Sequence, residues 1–250
     1  MRWAAKPIAR RRGARELSVR SFDVVGASIL LLLLLPILVL IAIGVVVDSR
    51  GPVFYGAERV GRYGRTFRML KFRKMRVDAQ GPRLTTGTDA RFTRFGRLLA
   101  KSKLDELPQL WNVVKGEMSL VGPRPEDRSF VELLQDDYEE ILKVPPGITG
   151  LSQLAFAKES QLLLADSYEN YYVECLLPAK MSIDRLYARK RSLLLNLQIM
   201  FWTLVVVSFV ADVAVNRKTG SLTLRRRPRV QEQTPEAVTA ETLASEPPSR

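Results

Sequence analysis

The sequence predicts an α+β protein, mostly helical, seated on one face of a membrane as a monotopic domain. It is expected to carry an N-terminal re-entrant membrane helix of helix–break–helix form and a small β-hairpin. Three observations predict this. Val24 to Val47 is a run of 24 residues without a charge, divided by Pro36. Both flanks of that run are basic, in a chain of net charge +13. Beyond it, Val53-Phe54-Tyr55 and Thr66 to Phe72 read as short strands joined by a Gly-rich turn at Gly61 to Gly64.

Composition bounds the chemistry. A chain of 250 residues holds one good-sized domain with appendages. Its 46% hydrophobic content lets most of it fold around a core. The positive charge calls for an anionic partner: nucleic acid, membrane lipid or a phosphorylated substrate. The one cysteine, Cys175, excludes an intrachain disulfide and suits the cytosolic face. With no histidine, any catalysis runs on carboxylates, Lys, Arg, Tyr or hydroxyls.

Residues 1–20 hold seven Lys or Arg against Glu16. Such a segment is either a solvated tail or a strip lying on anionic headgroups. The apolar run that follows directly favours the second. That run would span a bilayer core of about 30 Å as one straight helix. Pro36 leaves 12 uncharged residues before it and 11 after. Each half reaches only about 17 Å, roughly half a bilayer. Residues 48–101 carry fourteen Lys or Arg and four Asp or Glu. The positive-inside rule therefore keeps both ends cytoplasmic, which a helix broken at Pro36 satisfies. Lys71 and Arg73 alternate along the second strand and would share one face. They read either as a solvated basic edge or as contacts to phosphate or headgroup. Residues 91–100 are expected to form an amphipathic helix.

Residues 104–125, LDELPQLWNVVKGEMSLVGPRP, set Asp105 and Glu106 just ahead of Pro108 and an apolar-periodic run. Proline suits a first helical turn, so Asp105 is placed at a helix start, where unpaired N–H groups favour an anion. The bland reading is an N-cap Asp and a first-turn Glu. The chemical reading uses their separation of about 100° around a helix: one carboxylate faces a reacting phosphorus, the other holds a cation. Carboxylates act as nucleophiles toward phosphorus, and Mg²⁺ binds through one or two carboxylates plus substrate phosphates. Leu107, Leu110, Trp111 and Val114 recur at helical spacing and are assigned to the core. Gly122-Pro123-Arg124-Pro125 fixes the backbone on both sides of a guanidinium, as phosphate recognition requires. Residues 126–143 read as one charged surface helix. Gly147 and Gly150 mark either a rigid turn or a backbone that approaches a ligand closely. Leu193 to Val210 is a second uncharged run, of 18 residues, with basic flanks. It could span alone, but its flanks favour a helix in the interface or against the domain. Residues 229–250 have a disordered composition.

The 104–125 string resembles the signature of the bacterial sugar transferases, the monotopic polyprenyl-phosphate phosphoglycosyl transferases. The resemblance extends more loosely from Arg20 to Thr203. It takes in Gly51 to Tyr55, Arg59-Val60-Gly61, Lys71-Phe72-Arg73-Lys74-Met75, the Asp89–Arg97 element and Pro146 to Leu151. Leu35-Pro36 stands where many members have Ser-Pro. Ala57 replaces a common Gln, Ala100 a common Arg, and Asn196 a common Asp. Lys101 would stand in for the missing Arg as a point charge.

The resemblance implies that Asp105 is the nucleophile and that Glu106 is the Mg²⁺ ligand. It implies substrate contacts at Arg124, Lys71, Arg73, Arg97 and Lys101. The implied reaction moves a phosphosugar from a UDP-sugar to polyprenyl (undecaprenyl) phosphate at the cytoplasmic face of a bacterial inner membrane. That would begin exopolysaccharide, O-antigen or glycoconjugate assembly, with membrane lipid but no nucleic acid as partner. Expected segments are a basic strip (1–20), the re-entrant helix (21–48), a catalytic domain (49–215) and a basic, then disordered tail (216–250). Two alternatives differ in class. A membrane-anchored module binding nucleic acid or anionic lipid would use the charge without the dyad. A lipid diphosphate hydrolase would use the dyad but release free sugar phosphate.

Overall fold

One long helix dominates the N-terminal part of the computed structural model, which describes residues 13–79, 81, 89–157, 171–209, 213–217 and 219–224. Helix α1 runs Ala14–Asp48 over 35 residues. It is continuous through Pro36, so the expected helix–break–helix is corrected in this respect. Proline there removes a single N–H. The packing stripe keeps its register across it. Val19, Asp23, Ala27, Ile41 and Val45 are buried, and Leu34 and Leu38 between them pack against core clusters. The opposite face is apolar and exposed, with Leu32 73% and Leu40 67% accessible. Water does not favour such a surface, and a bilayer does.

Both ends of α1 are tied to the rest of the fold by polar side chains, the start to residues 113–120 and the far end to residues 73 and 95. Near the start, Asp23 accepts from Ser119 Oγ at 2.6 Å and from the Leu120 amide at 3.0 Å. Arg20 donates to the carbonyls of Val113 and Val114 at 2.6 and 2.9 Å. At the far end, the Arg73 guanidinium donates to the carbonyls of Ser49 and Arg50 at 2.5 and 2.7 Å. Asp48 accepts from the Phe95 amide at 3.0 Å. Arginine on terminal carbonyls satisfies acceptors that a helix end leaves open.

The expected hairpin is present. Strands β1 (Phe54–Val60) and β2 (Thr66–Phe72) pair antiparallel, Phe54 opposite Phe72. Helix α2 spans Arg94–Ser102, capped by Thr93 Oγ1 on the Gly96 amide. A 3₁₀ turn at Leu104–Glu106 leads to α3, Gln109–Lys115. Strand β3 (Ser119–Val121) pairs parallel with β4 (Gly147–Thr149). Between them the expected single helix over 126–143 is two, α4 (Arg128–Leu133) and α5 (Gln135–Ile141), because Leu134 leaves helical geometry at φ −123°. Helix α6 is Leu151–Ala155, α7 Leu177–Lys190 and α8 Leu193–Phe209. A π-helical turn, Tyr172–Leu176, runs into α7. Strands β5 (Val213–Val215) and β6 (Leu222–Leu224) form a hairpin. Residues 1–12 and 225–250, with their expected headgroup-binding and disordered character, lie outside the described residues.

The main core gathers around α3 and β3. Leu110, Val113, Leu120 and Val121 meet Ala27 of α1, Met69 of β2, Ile183 and Tyr187 of α7 and Ile199 of α8. Trp111 departs from its expected core position and is 51% exposed. Its indole lies off the packed stripe that Leu110 and Val113 define, and an amphipathic ring tolerates a wet or interfacial surface. Helix α8 packs by Asn196 and Ile199 and leaves Leu194, Phe201 and Leu204 exposed. Asn196, where the resemblance leads one to expect Asp, lies 2.8 Å from the Tyr187 hydroxyl, which also reaches the Val121 carbonyl at 2.8 Å.

A buried acid on α7 gives the fold a pH dependence. Burial pushes Asp184 up to about 7 from 3.8, against the opposing pull of Ser152 and Lys180. The folded chain therefore keeps this proton where the unfolded chain has lost it. Its contribution to stability falls as pH rises from about 4 to 7. Asp184→Asn is expected to remove that slope. Thermal unfolding of both proteins at pH 5 and pH 8 checks it: the variant should gain on the wild type at the higher pH. A constant difference between the two would refute the assignment.

Candidate active site

The strands and helices around α3 bring five charged side chains together. Asp105 sits on the 3₁₀ turn, not at the start of α3, whose N-cap is Pro108. Its side chain is only 1% exposed, and the Lys74 ammonium lies 2.8 Å from Oδ2. That contact is an ion pair without hydrogen-bond alignment. Among the described residues, neither Asp105 oxygen accepts a hydrogen bond. Glu106 faces two cations. Its Oε1 accepts from Lys71 Nζ at 2.9 Å and from Arg124 Nη2 at 2.9 Å, with Nη1 at 3.5 Å from Oε2.

Three cations thus surround two carboxylates. Burial raises the cost of charging Glu106, yet Arg124 and Lys71 hold its carboxyl well below the usual range. Burial also pushes the Lys71 ammonium down to about 8, and Arg124 and Lys74 add to that effect against the pull of Glu106. Its proton is therefore held loosely for a lysine.

Local sequence explains the positions. Asn112 of α3, fully buried, accepts from the Leu70 amide at 3.0 Å and donates to the Arg68 carbonyl at 2.8 Å. This clamps β2, and with it Lys71, to the helix that follows the dyad. Lys74 lies past the end of β2, where its carbonyl accepts from the Thr93 amide at 3.1 Å. Gly96 permits that approach, since a Cβ there would sit 2.0 Å from the Lys74 carbonyl oxygen. Arg124 is held by the zippered loops. Gly122 donates to Thr149 and Gly147 donates to Pro123, both at 2.8 Å. A Cβ on Gly147 would meet the Gly122 nitrogen at 2.0 Å. The glycines of the second loop thus serve backbone-to-backbone packing, which favours the rigid-turn reading.

Of the expected site residues, Asp105, Glu106, Lys71 and Arg124 come together. Arg73 does not join them. Strand β2 ends at Phe72, and the guanidinium turns to the end of α1, buried to 7%. Arg97 and Lys101 lie exposed on α2, outside the five-charge cluster. Pro36 is exposed on α1. Lys74 and Asn112 were not singled out from the sequence. Lys74 broke the strand alternation shared by Lys71 and Arg73, and only the turn of the chain after Phe72 carries it to Asp105.

The donor set also fits a hard divalent cation. Among the described residues no group of three or more acidic, His or Cys side chains converges. Mg²⁺ needs no such cage, because one or two carboxylates and substrate phosphates suffice. Glu106 would supply the carboxylate, and the two Asp105 oxygens, buried without a hydrogen bond, are acceptors that such a site would leave open.

Fold and site together define a membrane-associated protein with a cationic, carboxylate-bearing centre and a long helix whose exposed face is apolar. The chain belongs to the bacterial sugar transferase family, whose model matches residues 14–210. It is 39% identical over 197 residues to an undecaprenyl-phosphate glucose phosphotransferase of Komagataeibacter xylinus, covering 75% of this chain and 35% of that one. It is 40% identical over 192 residues to a UDP-glucose:undecaprenyl-phosphate glucose-1-phosphate transferase of Xanthomonas campestris pv. campestris, covering 74% and 37%. To the exopolysaccharide production protein ExoY of Rhizobium meliloti (strain 1021) it is 37% identical over 172 residues, covering 62% and 76%. The chain therefore spans little more than a third of the first two relatives and about three quarters of the third.

Proposed function

We propose that this protein is a phosphoglycosyl transferase that moves a phosphosugar from a UDP-sugar to polyprenyl phosphate. The observation that carries the reading is the Asp105–Glu106 pair ringed by Lys71, Lys74 and Arg124, in a family whose named relatives are undecaprenyl-phosphate sugar phosphotransferases. Such a reaction begins the assembly of a lipid-linked exopolysaccharide or related glycan.

In the first step, an Asp105 oxygen forms a bond to the sugar-side phosphorus. The bond from that phosphorus to the bridging oxygen breaks, and UMP leaves with the electron pair. In the second, a phosphate oxygen of the polyprenyl phosphate attacks the same phosphorus and expels the Asp105 carboxylate. The products are UMP and polyprenyl-diphosphate-sugar. Arg124 and Lys71 would bind and orient the diphosphate, leaving Glu106 as they turn toward it. Lys74 would follow the negative charge and uncover Asp105, whose carboxylate is closed off without substrate. A Mg²⁺ ion held by Glu106 would neutralise charge on the diphosphate. Water exclusion comes from the burial of Asp105, which protects an acyl phosphate from hydrolysis.

Helix α1 supports a membrane arrangement for this reading. Both of its ends are bound to the catalytic domain while its exposed middle is apolar, so the helix would dip into the inner leaflet from the cytoplasmic side. Exposed Trp111 suits the same interface.

The test uses the full chain in nanodiscs with polyprenyl phosphate, Mg²⁺ and a panel of UDP-sugars. UMP and lipid-linked sugar are expected in equal amounts with at least one sugar. Free sugar phosphate in place of the lipid product would make it a hydrolase, and no UMP from any sugar would sink the reading.

A further inference from the structure

We infer that the groove at the C-terminal end of α1 is a binding site for the headgroup of an anionic phosphodiester lipid. The groove encloses about 800 Å³ between that helix end, the chain after β2 and the start of α2. Three arginines from these three segments line it: Arg50, Arg76 and Arg94. All three are exposed, and among the described residues none of their guanidiniums has an ion pair or hydrogen bond. Elsewhere the arginines are largely engaged, as Arg20, Arg73 and Arg124 are. Guanidinium forks left open in one concavity match the paired oxygens of a phosphate.

Place and net charge identify the ligand. The groove begins where the lipid-facing surface of α1 stops. Val47, which lines it, is 81% exposed, and Val46 and Ile43 beside it are 48% and 55% exposed. Val77, also in the lining, is 66% exposed, so exposed apolar side chains stand beside the cations in this groove. A cationic groove at the end of an exposed apolar helix face is what a lipid headgroup with acyl chains along α1 would require. Asp48 and Asp78 also line the groove. Three guanidiniums against two carboxylates leave one positive charge, which suits a singly charged phosphodiester better than a doubly charged phosphate monoester. Thr93 of the groove pairs with the Lys74 backbone, so a lipid held here braces the segment that carries the partner of Asp105.

The experiment requires no nucleotide sugar and is independent of the transferase reading. The full chain is extracted from vesicles of phosphatidylcholine and phosphatidylglycerol, and the lipid that stays bound is identified by mass spectrometry. Wild type is expected to retain phosphatidylglycerol several-fold above its bulk share. The triple variant R50Q/R76Q/R94Q should return to the bulk ratio, and Arg94→Gln alone should lose part of the enrichment if the triple variant unfolds. A control with the same charge change elsewhere, R128Q/K143Q/R189Q, should keep it. Equal loss in the control, or full enrichment in the triple variant, would overturn the site. Displacement of phosphatidylglycerol by millimolar inorganic phosphate, or by equimolar polyprenyl phosphate, would overturn the choice of ligand.

Discussion

Asp105→Asn is expected to lower turnover by at least about 10³-fold while leaving the fold intact, as loss of a nucleophile does in other enzymes that use covalent catalysis. An amide oxygen does not displace UMP, and no other carboxylate in the cluster is placed to substitute. Glu106 is the nearest, but Arg124 and Lys71 engage it. The structural consequence is small. Asn has almost the same volume, and the partner left behind, Lys74, is 23% exposed and can take up water. The two measurements are UMP release and thermal unfolding. A third is direct: wild type incubated with UDP-sugar but no polyprenyl phosphate should gain the mass of one phosphosugar on the peptide holding residue 105. The variant should gain none. Near-normal turnover in Asp105→Asn, or an adduct on another residue, removes Asp105 from the nucleophile role.

Much of this site was legible in the sequence because its residues are close along the chain. Asp105, Glu106 and Arg124 fall within one stretch of β-turn and helix signals. Lys71 could be picked out because it alternates along a strand. What escaped were the residues whose roles depend on pairing between segments far apart. Arg73 looked like the twin of Lys71, but β2 stops one residue earlier, and the open carbonyls at the end of α1 claim its guanidinium. Lys74 was not singled out. Asn112 looked like any polar residue on a helix, yet it joins α3 to β2 across more than forty residues of chain. The helix α1 shows the same limit. Pro36 signalled a break because the sequence gives the missing N–H, whereas the continuous stripe from Val19 to Val45 that keeps the helix in register depends on what packs against it.

Glu106→Gln is expected to cost both activity and stability, and the stability loss should shrink at high pH. Removing one partner of a fully buried ion pair costs about 3–5 kcal/mol; with Lys71 12% and Arg124 31% exposed, the loss here should fall below that range. Here two cations remain, Lys71 and Arg124, which already disfavour each other. In wild type, burial and neighbouring cations already lower Lys71 from 10.5 to about 8. Without Glu106 the Lys71 value should drop further. A lysine whose folded value lies below its unfolded one is destabilising at low pH, where it must carry its charge. That penalty is relieved as pH rises toward 10.5, because the unfolded chain then loses its advantage in binding the proton. The gap in denaturant midpoint between wild type and Glu106→Gln should therefore be wide at pH 7 and narrower at pH 9.5. Lys71→Met should rescue part of the loss in the double variant, since it deletes the stranded cation. Turnover should not be rescued, because the proposed Mg²⁺ ligand Glu106 is still missing and the diphosphate also loses Lys71. A gap that does not change with pH, together with additive effects in the double variant, would show that Glu106 and Lys71 are not coupled and that the five-charge cluster does not act as one unit.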